Sequence, residues 1–403
     1  MKHLTGCLLS ILFIAPITVQ AADAAKPLKV YILCGQSNMQ GHAHTRTFEH
    51  IGMDPKTVPL LNAMQDENGK PRVHEDVWIS SIGSSEAEKI GQLTVGYGAD
   101  QRGPKIGPEL TFGIYMQKLV GEPILIIKTA WGGKSIHTDF RSPSAGPYQF
   151  NENQLAQFEK QKKNVDEIKA ERAKATGHYY RLMIQHVRKV LADIPRVYPG
   201  YDKDSGYELA GFVWFQGWND MVDRGVYPNR DKAGGYDNYS KVLTHFIRDV
   251  RKDLSVPRLP FVIGVMGAGG KIANYTPNQK RYSTIHQNFR DAMAAPAKLP
   301  EFKDNVTAVL TENYWDNELH QLRQRDSEIN ARVKQLEKDG KITRKEAGEE
   351  KKKLRTEEFT KREVKILDTA TSNFEFHYLG CAKIIAQIGK GFAEATDALT
   401  RNK

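Results

Sequence analysis

Cysteine is scarce. The 403-residue sequence has three, and Cys7 sits in the leader described below, so Cys34 and Cys381 remain. They form one disulfide or two buried free thiols, and the second is favoured because free cysteine is among the most buried residue types. Metal-ligand patterns are missing as well: His42 and His44 alternate, but no third ligand stands at a recognisable spacing. The glycine-rich run Gly264–Gly270 matches neither a dinucleotide fingerprint nor a phosphate-binding loop. No metal and no cofactor is therefore expected. Long apolar runs are confined to Leu8–Val19, between the basic start Met1-Lys2-His3 and Gln20-Ala21-Ala22. That is the pattern of a secretory signal peptide over residues 1–22, cleaved after Ala21 or Ala22. Leu4-Thr5-Gly6-Cys7 looks like a lipidation box but precedes the apolar core instead of following it, so lipidation is rejected. Nothing later is long and apolar enough to span a bilayer. The expectation is a periplasmic or secreted protein, with no membrane contact after cleavage.

The formal charge is +10. Export argues against a nucleic-acid partner, and the lysines and arginines cluster in two stretches interleaved with glutamate, as on solvated helix faces. Apolar and charged fractions are those of a globular domain.

Val30–Leu33, Pro123–Thr129, Leu209–Phe215, Leu259–Val265 and Asn305–Leu310 are short, nearly continuous apolar runs, and another strand is expected near Asp76–Ser80. Runs of this kind suit a parallel sheet covered on both faces. Helical patterns fall between them, including Tyr179–Leu191 and Tyr239–Leu254. The alternation predicts an α/β fold. Residues 151–175 are polar and read as a helical or mobile insertion. A second insertion spans about 316–365: Leu322, Ile329, Val333 and Leu336 fall at heptad-like spacing, Asp339-Gly340 breaks the pattern, and Thr343 with Glu346 signals a second helix start. This is expected to be a helical hairpin decorating one domain over residues 23–403.

Three strand ends carry unusual turns: Gly35-Gln36-Ser37-Asn38-Met39, Trp131-Gly132-Gly133 and Gln216-Gly217-Trp218-Asn219-Asp220. His377 precedes the terminal apolar helix. Ligand crevices of open α/β sheets lie at the carboxyl ends of strands. Ester cleavage needs a hydroxyl to attack, a base to take its proton and donors to stabilise the oxyanion. Taken alone, Ser37 is equally a helix-capping serine; four such elements in a compatible order point to chemistry. His42, His44 and His137, with Trp131, Trp214 and Trp218, are further candidates for lining a pocket, or are loop and core residues.

Gly35-Gln36-Ser37-Asn38-Met39 resembles the nucleophile block of the SGNH (GDSL-like) hydrolases, in the branch of sialate O-acetylesterases and carbohydrate esterase family six, which includes acetylxylan esterases. Gly132-Gly133 resembles that family's glycine block, Gly217-Trp218-Asn219-Asp220 its Gly-x-Asn-Asp block, and His377-Tyr378 its last block. The resemblance implies a three-layer α/β/α sandwich on a mostly parallel five-stranded sheet. It implies a serine esterase acting on an acetylated saccharide, with Ser37 as nucleophile and His377 as base. It places the oxyanion among Gly132, Gly133 and Asn219, with Gln216 as a competing donor. One element departs: the aspartate common three residues before the histidine is Phe374 here. If the segment is extended, Glu375 and His377 share a face, which makes Glu375 the candidate orienting acid. A backbone carbonyl or Asp220 stays open as the alternative. A non-catalytic polysaccharide-binding protein and an esterase for non-sugar esters are the competing functions.

Overall fold

Continuous apolar runs make the central strands of a seven-stranded sheet. The computed structural model describes residues 26–85 and 87–401, so the proposed leader lies outside the described residues. The strands are β1 (Leu28–Gly35), β2 (His74–Gly83), β3 (Lys89–Leu93), β4 (Ile124–Ala130), β5 (Tyr207–Phe215), β6 (Phe261–Val265) and β7 (Val306–Leu310). Their order across the sheet is β3-β2-β4-β1-β5-β6-β7, and all neighbours are parallel except the β2–β3 pair. The family resemblance implies five strands and the sequence runs give six; the strand that neither reading names is the edge strand β3. Its sequence Lys-Ile-Gly-Gln-Leu is half polar and carries no buried-strand signature, as befits a strand paired on one side only.

The main helices are α1 (Glu109–Val120), α2 (His178–Ala192), α3 (Asp237–Asp253), α4 (Ser283–Ala294), α5 (Asn317–Lys338), α6 (Arg344–Glu358), α7 (Lys361–Thr369) and α8 (Ala382–Arg401), of which α1–α4 and α8 cover the sheet. Alternate strand residues point to opposite faces. Val30, Ile32, Leu125, Ile127 and Trp214 meet Met183 and Val187 of α2, Phe246 of α3 and Phe289 of α4. Tyr31, Leu33, Ile126, Val213 and Phe215 meet Phe112 of α1 and Ile385 and Phe392 of α8. Each such side chain, fully buried, contributes roughly 1.5–3 kcal/mol. The result is a three-layer α/β/α sandwich with a core on each side of the sheet.

The insertion is three helices, α5 to α7, not a two-armed hairpin. Thr343 caps α6 with Glu346 as expected, and a second capping box, Thr360 with Glu363, opens α7. Leu319, Leu322, Ile329, Val333, Phe359 and Ile366 belong to the core on the α1–α8 side, so the base of the insertion is part of the domain. The other insertion forms two helices, Glu152–Lys160 and Val165–Ala175, each with an asparagine N-cap. Cys34 and Cys381 are both buried and free.

Register aligns the strand ends that matter. Gly35 of β1 lies opposite Ala130 of β4 and Phe215 of β5, and Gly83 of β2 lies opposite Ala130. The turns that follow these four strands therefore emerge side by side. Gly35 has to be glycine, because a Cβ there would lie 2.1 Å from the Phe215 carbonyl oxygen.

Candidate active site

Past Gly35 the chain turns into the short helix Ser37–Gln40. The Ser37 N–H is the first of that turn and has no intrahelical acceptor. Ser37 is 6 % exposed and opens on a cleft of about 510 Å³. Gly132, Gly133, Asn219, Trp218, His42 and His377 also line it. The three strand-end turns and the C-terminal histidine segment are thus brought to one place. The Ser37 hydroxyl pairs with Gln36 Nε2 at 3.4 Å, while His377 faces the same cleft.

A buried ion pair fixes the turn from below. Lys128 of β4, 1 % exposed, donates to Glu109 Oε2 (2.6 Å), the Gln40 carbonyl (2.8 Å) and the Tyr97 carbonyl (2.8 Å). Glu109 Oε1 in turn accepts from the Gly107 N–H at 2.8 Å. Burial pushes the Lys128 pKa down against the opposing pull of Glu109. The sequence presents Lys128 as one polar residue in an apolar strand, the signal by which this device was legible but unread.

The residues from Ser372 to Gly380 curl instead of extending. Residues 375–380 form a tight helical turn, with Tyr378 and Leu379 at φ 51° and 62°. Non-glycine residues in this left-handed region cost on the order of 1–2 kcal/mol each. Surrounding contacts hold them there: the Tyr378 hydroxyl accepts from the Gly267 N–H (2.8 Å) and pairs with Thr311 (2.6 Å), and the Ser372 and Asn373 N–H groups donate to the Leu379 carbonyl. The curl carries Asn373 to His377, with Asn373 Oδ1 3.0 Å from His377 Nδ1. The same Oδ1 accepts the Phe374 N–H at 2.8 Å, which identifies it as oxygen. An amide oxygen only accepts. Nδ1 therefore carries the proton and Nε2 keeps its lone pair. Burial lowers the His377 pKa to about 4, so the ring is neutral at neutral pH. His42 stacks on it at 3.9 Å and 2°, and is itself lowered to about 3, chiefly by burial and then by His377.

Glu375 does not orient His377. It accepts from Gln279 Nε2 at 2.9 Å and lines a neighbouring pocket. The expectation that Glu375 and His377 share a face rested on an extended chain. In the curl, residues two apart diverge, and Phe374 is 70 % exposed. Residues four apart meet on a helical turn, which is the spacing that singles out Asn373.

Gln216 is likewise removed from the cleft. Its Nε2 donates to Gln36 Oε1 (3.2 Å), the Lys134 carbonyl (3.0 Å) and Asp220 Oδ2 (2.5 Å), so it is buried and committed. Asp220 is buried behind the site, accepting from the Ile136 and His137 N–H groups and from the Tyr227 hydroxyl. Burial raises its pKa, opposed by His137 and those hydrogen bonds. Asp220 thus ties the glycine turn to the Asn219 turn and does not reach His377. Asn219 lines the cleft, and its side-chain amide bonds no protein group among the described residues. The Gly132 N–H is held by Ser84 Oγ at 3.1 Å. Gly133 adopts φ 74°, a turn that glycine makes without steric cost. His44 caps a short helix by accepting the Arg46 N–H, and His137 is buried beside Thr138 and Asp223. Trp131 and Trp214 are core residues, and only Trp218 reaches the cleft, packed on Phe376 at 5.5 Å. Among the described residues no group of histidine, cysteine and carboxylate side chains is arranged to hold a metal ion.

Among solved structures the chain is similar to a protein of Arabidopsis thaliana, at 15 % identity, TM-score 0.38, over 71 % of this chain and 86 % of that one. It is also similar to a carbohydrate acetylesterase from Xanthomonas citri, at 14 % identity and TM-score 0.37. That match covers 70 % of this chain and about half, 49 %, of the other. No curated protein matches. A family model described as carbohydrate esterase, sialic acid-specific acetylesterase, matches residues 27–311, a span that holds the Ser37, Gly132-Gly133 and Asn219 turns. The chain belongs to this family of carbohydrate O-acetylesterases.

Proposed function

We propose that the protein hydrolyses O-acetyl groups on saccharides by an acyl-enzyme route through Ser37 and His377, and that it is exported by the leader in residues 1–22. Ser37 Oγ attacks the acetyl carbonyl as His377 Nε2 takes its proton. The oxyanion is met by the Ser37 N–H, the Gly132 N–H released from Ser84, and the Asn219 amide. Collapse breaks the bond to the sugar oxygen, which leaves with the proton from His377. A water molecule, deprotonated by the same nitrogen, then attacks the acetyl-serine; collapse returns that proton to Ser37 Oγ and releases acetic acid, which ionises to acetate. Asn373 performs the orienting part of an acid's role: it fixes the tautomer without adding negative charge. The observation that carries this reading is the Nδ1–H to Asn373 Oδ1 bond, which leaves Nε2 of a neutral His377 as a base on the cleft that Ser37 lines.

The test is acetate release from acetylated saccharides and from 4-nitrophenyl acetate, with parent and Ser37→Ala proteins. Loss of release from both substrates in a folded Ser37→Ala protein is expected. Near-parent turnover in that variant refutes the mechanism, and an inactive parent leaves a saccharide-binding protein on the same fold.

A further inference from the structure

On the far side of Trp218 and Phe376 lies a second pocket of about 410 Å³, which shares these two aromatic walls with the catalytic cleft. Its volume is within the range of about 300–1,000 Å³ typical of small-molecule sites. The mechanism makes no use of it. Phe374, the most exposed large apolar side chain among the described residues, stacks on Phe376 at 5.4 Å and 15°, and extends the aromatic ridge toward solvent. An aromatic ridge between two largely apolar hollows that each hold a few polar side chains suits sugar rings, whose C–H faces pack on aromatic faces while their hydroxyl edges reach polar groups. Glu375 and Gln279 supply such a polar pair in this pocket.

The charge in the pocket is informative. Arg224 and Arg230 both line it. Arg230 donates to the Met221 and Val222 carbonyls, at 3.2 and 3.3 Å, and bonds the Tyr236 hydroxyl, and Arg224 is exposed. Among the described residues neither guanidinium is ion-paired with a carboxylate, whereas eight other arginines are. The one carboxylate in the pocket, Glu375, is held by Gln279. His286, at the pocket wall, has its pKa lowered to about 4 by burial and by Arg290 and Arg230, so it adds no charge at neutral pH. Two guanidiniums without a carboxylate partner beside an aromatic wall form a place for an anion on a sugar.

We propose that this pocket is a second saccharide subsite, which receives a sugar unit next to the acetylated one, and that this unit carries an anionic group, a carboxylate or a sulfate ester. The proposal rests on the esterase reading above and names its substrate class: an acidic oligosaccharide or polysaccharide, lying across the Trp218–Phe376 ridge. Glu375 then belongs to substrate recognition and not to the catalytic group.

The experiment compares kcat/KM on four probes: 4-nitrophenyl acetate, acetylated xylo-oligosaccharide (neutral), acetylated oligogalacturonide (carboxylate) and chemically acetylated, sulfated galactan oligomer (sulfate). Parent, Arg224→Ala, Arg230→Gln and Phe376→Ala proteins are measured on each. At least one anionic probe is expected to exceed the neutral one, and whichever does identifies the anion. In the arginine variants, the ratio of kcat/KM on that probe to kcat/KM on the small ester is expected to fall by at least about tenfold, the worth of one charge-assisted hydrogen bond. The fall is expected mostly in KM and to shrink in high salt. Equal ratios in parent and both arginine variants, or no preference for either anionic probe, overturn the proposal while leaving the esterase intact. No activity of the parent on any probe removes the esterase reading itself. Phe376→Ala guards against an arginine variant that folds poorly: it is expected to lower the same ratio through the shared wall.

Discussion

In the proposed mechanism His377 is the base; among the described residues Asn373, and no carboxylate, bonds its ring, and its environment sets its pH range. Burial holds it at about 4. A general base must be unprotonated, so kcat/KM is expected to be flat near neutrality and to fall as pH drops through about 4. Asn373→Asp places a carboxylate beside Nδ1, favours the imidazolium and raises its pKa; the acid limb should move upward in pH. Asn373→Ala removes one hydrogen bond and should lower kcat by up to about tenfold with KM little changed, more than Glu375→Gln does on a small ester. An acid limb that stays in place in Asn373→Asp would falsify the orienting role. The two oxyanion candidates separate in the same way. Asn219→Ala should lower kcat by about 10²–10³, whereas Gln216→Ala should act first on stability, since Gln216 joins Gln36, Lys134 and Asp220. The block wording around Ser37, Gly132 and Asn219 made these positions legible in sequence. Asn373 was not, because Tyr378 and Leu379 occupy a left-handed conformation that their side chains do not announce.

At the scale of elements, the turns do little to hold themselves; the strands and helices beneath them do. The strands were legible because a parallel sheet buries both faces and leaves a continuous apolar run. The edge strand β3 and the extent of the 316–369 insertion were not, because polar sequence suits an edge strand and a solvated helix alike. Lys128 and Glu109 show how an element reaches the cleft: the ammonium on β4 holds the Gln40 carbonyl at the end of the Ser37 turn. Lys128→Met leaves Glu109 buried and uncompensated, so a loss of about 3–5 kcal/mol of stability is expected, read by denaturant unfolding, with kcat reduced in the folded fraction. The double variant Lys128→Met/Glu109→Leu should regain part of the stability but not the kcat, because the Gln40 carbonyl still lacks its donor. Recovery of both would show that the pair serves folding alone. The insertion follows the same logic. Its root is locked where Asp316 caps α5 and pairs with His50 and Lys383, and Ile329 lies in the core. Ile329→Ala should cost roughly 2–5 kcal/mol, a loss that a freely projecting decoration would not show.

Across the whole molecule, acid sensitivity should come from histidines before carboxylates. Burial is the largest cause lowering His42 to about 3 and His74, His186, His286 and His377 to about 4. In the unfolded chain each titrates near about 6.5. Between about 6.5 and 4 the unfolded chain therefore binds protons that the folded chain refuses, and stability falls as pH drops through that window. Above about 6.5 both states are neutral at these sites and the contribution is fully present. The carboxylates act later. Glu88, against its own burial, is pulled down to about 2 by Arg196 and Lys189, and its contribution is lost only below the ordinary carboxylate range. Asp316 behaves likewise: burial opposes ionisation, but His50 and Lys383 hold it well below that range. Thermal melts at pH 7, 5.5 and 4.5 in one ionic strength should show Tm falling across the series, with most of the fall already present before carboxylates begin to protonate. His186 offers a local check, because its Nε2 pairs with the Ser80 hydroxyl at 2.9 Å beside the Glu88 cluster. His186→Gln keeps a polar group at the site and removes one proton-binding site from the unfolded chain. The slope of Tm against pH between 6.5 and 4.5 should become shallower in this variant, and an unchanged slope would place the acid sensitivity elsewhere.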